Sequence, residues 1–208
     1  GLSGLFVARL TAAGALDTRR VVAVPGLDPY DIDPDRIGNS VAGPDGTVLV
    51  ALAPWSADDS GIEPTVVRLL PSGDVDTTYG DDGVVRVTAT QVDSTDPRIR
   101  LTPLPSGRAL LSWSEWRTAD TDTNVVIARL NSAGTVDAGF ANSGRFRRRI
   151  AEGTGVFVGA TGSGKPLIAW AASDPDAGEY VAPTVRVQRL TAAGAPDATF
   201  GNAGTVTL

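Results

Sequence analysis

The chain has 208 residues, 42% hydrophobic and 20% charged, with 24 acidic against 18 basic side chains and a net charge of −6. This is the balance of a globular protein long enough to bury a sizeable core, and its acidity argues against nucleic acid or an anionic membrane surface as the main partner, because both need a basic face. Cysteine and histidine are absent, which removes disulfides, thiolate catalysis, most structural zinc sites and the usual general base near neutral pH.

No apolar run approaches the length of a membrane span. No signal peptide is visible and the chain opens on Gly1, which reads as a cleavage point or a cut in a longer protein.

Along the chain one phrase occurs four times: RLTAAGALD from Arg9, RLLPSGDVD from Arg68, RLNSAGTVD from Arg129 and RLTAAGAPD from Arg189. Each holds Arg-Leu, a Gly five residues after the Arg and an Asp eight after it, at intervals of 59, 61 and 60 residues. A fixed period in this range marks an array of one supersecondary unit. Residues 1–25 supply only one hairpin, turning near Gly14. A second phrase then begins, SVAGPDGTVLVALAPW from Ser40, with a turn at Asp45-Gly46 and an apolar run after it. Thr65 to Leu69 lead into the next Arg-Leu phrase, Ser72-Gly73 turn, and Tyr79 and Gly83 precede an exit strand at Val84 to Val87.

The same order repeats twice. Turns at Ser106-Gly107 and Ser163-Gly164 separate apolar runs, Val125 to Leu130 and Thr184 to Leu190 form the lead-in strands, and Phe140/Gly144 and Phe200/Gly204 take the places of Tyr79/Gly83. The first copy departs from the pattern, with Arg19 and Arg20 where the aromatic belongs. Glycine in such turns supplies the positive φ a tight hairpin needs, and the runs are too short for typical helices. The expectation is an all-β, propeller-like array of four-stranded antiparallel blades, about three and a half units in one domain: a partial unit at 1–25, then units at 38–89, 98–150 and 155–208.

ARLNSAGTVDAGFANSG from Ala128, QRLTAAGAPDATFGNAG from Gln188 and GPDGTVLVA from Gly43 resemble the delta-60 repeat, a bacterial repeat of β-propeller type. The resemblance covers nearly the whole chain. It implies a surface or secreted bacterial protein with a scaffold or binding role, and it carries over no catalytic residue.

Several patterns invite a chemical reading. Gly159 to Lys165 has P-loop spacing, but Pro166 takes the hydroxyl position and the segment aligns with the hairpin turns at Gly46 and Gly107, so it reads as a turn. Asp120, Asp122 and Asn124 resemble the first half of a calcium loop, without its glycine and closing glutamate. Equivalent loops carry Asp58, Asp59 and Glu63, and Asp174, Asp176 and Glu179, which places acidic side chains on one rim. These read either as solvated loops or as calcium ligands; no other cofactor is expected. The tryptophans keep register: Trp55 and Trp116 lie nine residues after a hairpin glycine, Trp113 and Trp170 six after it. They read as packing between units or as a sugar-binding rim. The recurring Arg and Asp read as a structural ion pair across the hairpin. Arg145, Arg147, Arg148 and Arg149 read as a charged edge strand.

The leading expectation is therefore a non-catalytic scaffold or binding module, secreted or on the cell surface, presenting loops to a protein or glycan partner. It completes itself with a second copy or with the remainder of a larger propeller, since three and a half blades close no ring of four or more. The alternatives are a carboxylate-dependent glycan hydrolase or lyase on the acidic rim, and a purely structural module of a larger surface assembly.

Overall fold

Alternating apolar residues around glycine turns build a chain of antiparallel meanders. The computed structural model describes residues 4–28, 32, 36–56, 61–89, 92, 98–116, 122–151, 155–172 and 184–208. Strands β1 (Leu5–Leu10) and β2 (Leu16–Val22) pair as a two-stranded sheet. Three four-stranded sheets follow, each pairing its strands in sequence order. The second sheet holds β3 (Ile37–Ala42), β4 (Val48–Leu52), β5 (Thr65–Leu69) and β6 (Val84–Arg86). The third holds β7 (Arg100–Pro103), β8 (Ala109–Trp116), β9 (Asp122–Leu130) and β10 (Arg145–Ala151). The fourth holds β11 (Val156–Ala160), β12 (Pro166–Ala172), β13 (Thr184–Arg189) and β14 (Thr205–Thr207). The chain is thus all-β, with propeller-like four-stranded blades and a half blade in front.

The loop from β3 to β4 places Asp45 (φ 55°) and Gly46 (φ 76°) in the left-handed region, and the loop from β7 to β8 does the same with Ser106 (φ 63°) and Gly107 (φ 71°). Residues that tolerate this region are what such loops require.

The core is divided into layers between sheets. Leu5 and Val24 pack with Leu52, Val67, Leu69 and Val84 between the first and second sheets. Ala51, Val66 and Val85 of the second sheet meet Leu101, Leu111, Trp113, Val126 and Leu130 of the third. Leu110, Ile127 and Phe140 of the third meet Ile168, Trp170 and Leu190 of the fourth. Successive strand residues point to opposite faces, so Val66 faces one neighbour and Val67 the other. This explains why β5 and β9 are apolar almost throughout: each is covered on both sides.

The first strands of the three full sheets converge. Asn39 on β3 donates its amide to the Leu101 carbonyl (2.9 Å) and accepts from the Leu101 N–H (2.6 Å) on β7. The Thr102 hydroxyl on β7 donates to the Val158 carbonyl on β11 (2.9 Å). These strand-to-strand links hold the three full sheets together along one edge of the stack.

Because the core lies between sheets, truncation should hurt only where a neighbouring sheet covers the side chain. Ile127, fully buried, faces the fourth sheet. Ile127→Ala should lower unfolding free energy by about 2–5 kcal/mol. Val185 on β13 is exposed, and Val185→Ala should change it by less than about 0.5 kcal/mol. Urea unfolding midpoints at constant m-value check both.

Candidate functional site

The repeated phrases meet at joints between successive sheets. In all four copies the arginine Nε donates to the aspartate eight residues on: Arg9 to Asp17 (2.5 Å), Arg68 to Asp76 (2.8 Å), Arg129 to Asp137 (2.9 Å) and Arg189 to Asp197 (2.9 Å). In the full units the guanidinium also lies over the recurring aromatic ring, 4.3 Å from the centroid of Tyr79, 4.8 Å for Phe140 and 4.7 Å for Phe200. A third contact crosses to the next unit. Nη1 of Arg9, Arg68 and Arg129 donates to the carbonyls of Pro71, Ser132 and Ala192, each three residues after the next repeat's arginine.

The residue after the aromatic completes the joint. The Gly80 N–H donates to the Ala133 carbonyl (2.8 Å) and the Ala141 N–H to the Ala193 carbonyl (2.7 Å). The turn glycine of the following unit then lies against the ring, and a Cβ on Gly194 would come within 2.8 Å of Phe140 Cε2. Gly194 has φ 86°, so both backbone conformation and close approach demand glycine there.

The first copy lacks the aromatic, and Arg20 stands in for it. Its guanidinium donates to the Ser72 carbonyl, the position equivalent to Ala133 and Ala193, and pairs with Asp74 at 2.8 Å.

Hydrogen bonding to the charged form holds two of the joint carboxyls down. Asp76 lies below its ordinary 3.8, first through the Thr78 hydroxyl and further through Arg68. Asp197 lies well below the carboxylate range, first through Lys165, then Thr199, with Arg189 adding to it. Lys165 Nζ donates to Asp197 Oδ2 at 2.8 Å, so the lysine of the P-loop-like segment is an ion-pair partner at the hairpin turn between β11 and β12.

The converging first strands enclose an open cleft of about 420 Å³. Arg36, Arg98 and Arg100 line it with Ser112 and Ser114, over an apolar floor that includes Ile99, Trp113 and Val156. No Asp or Glu is among these described lining residues. Sequence reading does not single out this cleft: Arg36 and Arg98 lie outside the repeated phrases, and Arg100, which opens the second copy of the turn phrase, has no arginine counterpart in the other copies.

Trp55, Trp113 and Trp170 are not brought to one surface. Trp113 is 1% exposed and donates Nε1–H to Glu115 Oε1 (3.2 Å). Glu115 is itself buried and paired with Arg147 at 3.3 Å. Trp170 is buried at the joint with the third sheet, with the Arg148 guanidinium 4.8 Å from its centroid. Trp55 is 39% exposed and stacks with Arg36 at 4.7 Å, which puts it beside the cleft. Trp116 ends β8. Asp122 and Asn124 lie at the start of β9, where their backbones pair with Ala151 and Arg149. Asp120, Asp58, Asp59, Asp174, Asp176 and Glu179 lie outside the described residues, and Glu63 faces Arg86 at 3.8 Å. Among the described residues no group of three or more Cys, Asp or Glu is placed to hold a metal ion. The basic run belongs to β10, an edge strand, with Arg147 and Arg148 turned to opposite faces.

A family model described as a domain of unknown function (DUF5122) of β-propeller type matches residues 116–140. That stretch carries β9, the turn, and the Arg129, Asp137 and Phe140 of one joint, which supports a β-propeller-like repeat family. No curated protein and no solved structure matches the chain. Among the described residues no helix is long and apolar enough to cross a membrane.

The Tyr79 hydroxyl is buried without a hydrogen-bond partner among the described residues, in a slot where the other two full units carry phenylalanine. Burial pushes its pKa from 10.0 up to about 12. Tyr79→Phe should therefore raise stability at pH 7 by roughly 1 kcal/mol, since an unsatisfied buried hydroxyl is costly. The parent protein should also lose stability between pH 10 and about 12 as the unfolded phenol releases its proton first. That part of the alkaline loss should vanish in Tyr79→Phe, as read from urea midpoints across the range.

Proposed function

We propose that the chain is a non-catalytic binding and scaffold module of a secreted or cell-surface bacterial protein, and that the cleft at the converging first strands takes an acidic glycan. The carrying observation is the lining: three arginines and two serines over an apolar floor, in a chain whose net charge is −6. Guanidinium groups and hydroxyls recognise carboxylates and sulfates, and apolar floors accept the C–H faces of sugar rings. The half-exposed Trp55 extends that surface. A non-catalytic role is supported by the fate of the recurring charged residues: the pairs of Arg9, Arg68 and Arg129 are each engaged in the same structural joint, and Arg189 is paired with Asp197 in the same way inside its own unit. The extracellular, bacterial setting rests on the resemblance of the repeated phrases to the delta-60 repeat.

An array of neutral, uronic-acid and sulfated oligosaccharides, followed by calorimetric titration of the binders, tests this. Uronate or sulfated glycans should bind, and Arg100→Glu, at an exposed position, should weaken them at least tenfold with an unchanged melting temperature. Trp55→Ala should weaken them less. Binding confined to neutral glycans, or to none, rejects the cleft as an acidic-glycan site.

A further inference from the structure

The array is built from one kind of joint, and its two ends carry the two unmated halves of that joint. At the C-terminal end, Phe200 remains partly exposed where Tyr79 and Phe140 are buried. Arg189 makes the bonds to Asp197 and Thr199 that stay inside its own unit. Its Nη1, and the N–H of Gly201, have no partner among the described residues, although the equivalent groups of Arg129 and Ala141 bond to the next unit's turn. Beside this socket the outward face of β13 presents Val185, 41% exposed, and Val187, partly exposed. Its equivalents of Val187, Val66 and Ile127, are fully buried by a following sheet.

At the N-terminal end lies the complementary half. The leucine of the Arg-Leu phrase is buried against the preceding sheet in Leu69, Leu130 and Leu190, but Leu10 is 59% exposed. Phe6, on the same face, is 66% exposed. A Cβ on Gly14 would meet nothing within 4 Å, whereas Gly134 and Gly194 lie against the preceding unit's aromatic ring.

The two halves match in sequence. Thr11-Ala12-Ala13-Gly14-Ala15 is identical to Thr191-Ala192-Ala193-Gly194-Ala195, and the latter turn is the one that seats on Phe140, Ala141 and Arg129. Phe200-Gly201 with Arg189 repeats that socket, with glycine in place of Ala141 as at Gly80. We propose that the occupant of the C-terminal face is the β1–β2 hairpin of a second copy of this chain, docked head to tail. Leu10 covers Val187, the Ala13 carbonyl accepts from the Gly201 N–H, and the Ala12 carbonyl accepts from Arg189 Nη1. The contact is heterologous, so it joins unlike surfaces of the two copies. It involves β1, β2, β13 and the Phe200-Gly201 turn, and none of the residues that line the cleft.

Complementation in solution tests it. Phe6→Glu/Leu10→Glu spoils the N-terminal face, and Val185→Glu/Val187→Glu spoils the C-terminal face. Light scattering across a concentration series should show the parent protein associating and each variant monomeric, with circular dichroism spectra unchanged. Mixing the two variants should restore a one-to-one complex, because each retains the half the other lacks. A parent protein that stays monomeric throughout the series overturns the proposal and leaves these faces to polypeptide beyond this chain. Variants that still self-associate, or that fail to complement while folded, overturn it as well.

Discussion

Burial between successive sheets is the constraint on which the rest of this structure depends. A four-stranded sheet of this width has two apolar faces and cannot hide either of them alone. Hydrophobic burial supplies the attraction but little direction, and the joint supplies the direction. Its arginine is held within its own unit by an aspartate and an aromatic ring, then reaches a single carbonyl of the next unit. Replacing a buried ion pair by apolar residues often costs nothing, while removing one partner is destabilising. The recurring arginine and aspartate are therefore best understood as setting register between sheets, with the valines, leucines and aromatics beside them providing most of the stability. Stability then accumulates from neighbour to neighbour, as in other repeat arrays.

The cleft is a consequence of that stacking. Its lining comes from segments more than a hundred residues apart, from Arg36 to Val156, and the stacking of the sheets with the links between their first strands brings them together. Trp113 shows how closely the two are linked. It belongs to the core between the second and third sheets, it lines the cleft, and its indole is held by a buried glutamate that Arg147 neutralises. A substitution in that chain of contacts would alter packing and the cleft together, whereas Arg100 at the rim can change without disturbing a sheet.

What the sequence makes legible is what repeats within a short span. The turns at Asp45-Gly46 and Ser106-Gly107 and the strands beside them follow from local residue chemistry. So does the arginine-aspartate pair, whose members are eight residues apart on one hairpin. The third bond of the arginine is not legible, because it reaches a carbonyl 62 to 64 residues away and main-chain acceptors leave no mark in sequence. Arg20 shows the same limit. By alignment it is a departure from the pattern, yet it reaches the carbonyl that a backbone N–H reaches elsewhere. Arg36 and Arg98 are 62 residues apart, close to the repeat period, but the third full unit carries Gly155 in the corresponding place, so what these arginines line is visible only once the strands converge.

The asymmetry of the two ends follows from the same reasoning. Repeat arrays that stand alone normally finish in units with a polar outer face, since an apolar terminal face in water promotes association. Here Phe6 and Leu10 at one end, and Val185 and the 73% exposed Phe157 at the other, keep the apolar character of interior positions. The Arg-Leu phrase explains how: Leu10 occupies the slot that Leu69, Leu130 and Leu190 fill against a preceding sheet. Both ends are therefore made like interior joints, and an isolated array bears at each end the same exposed surface that its interior sheets bury.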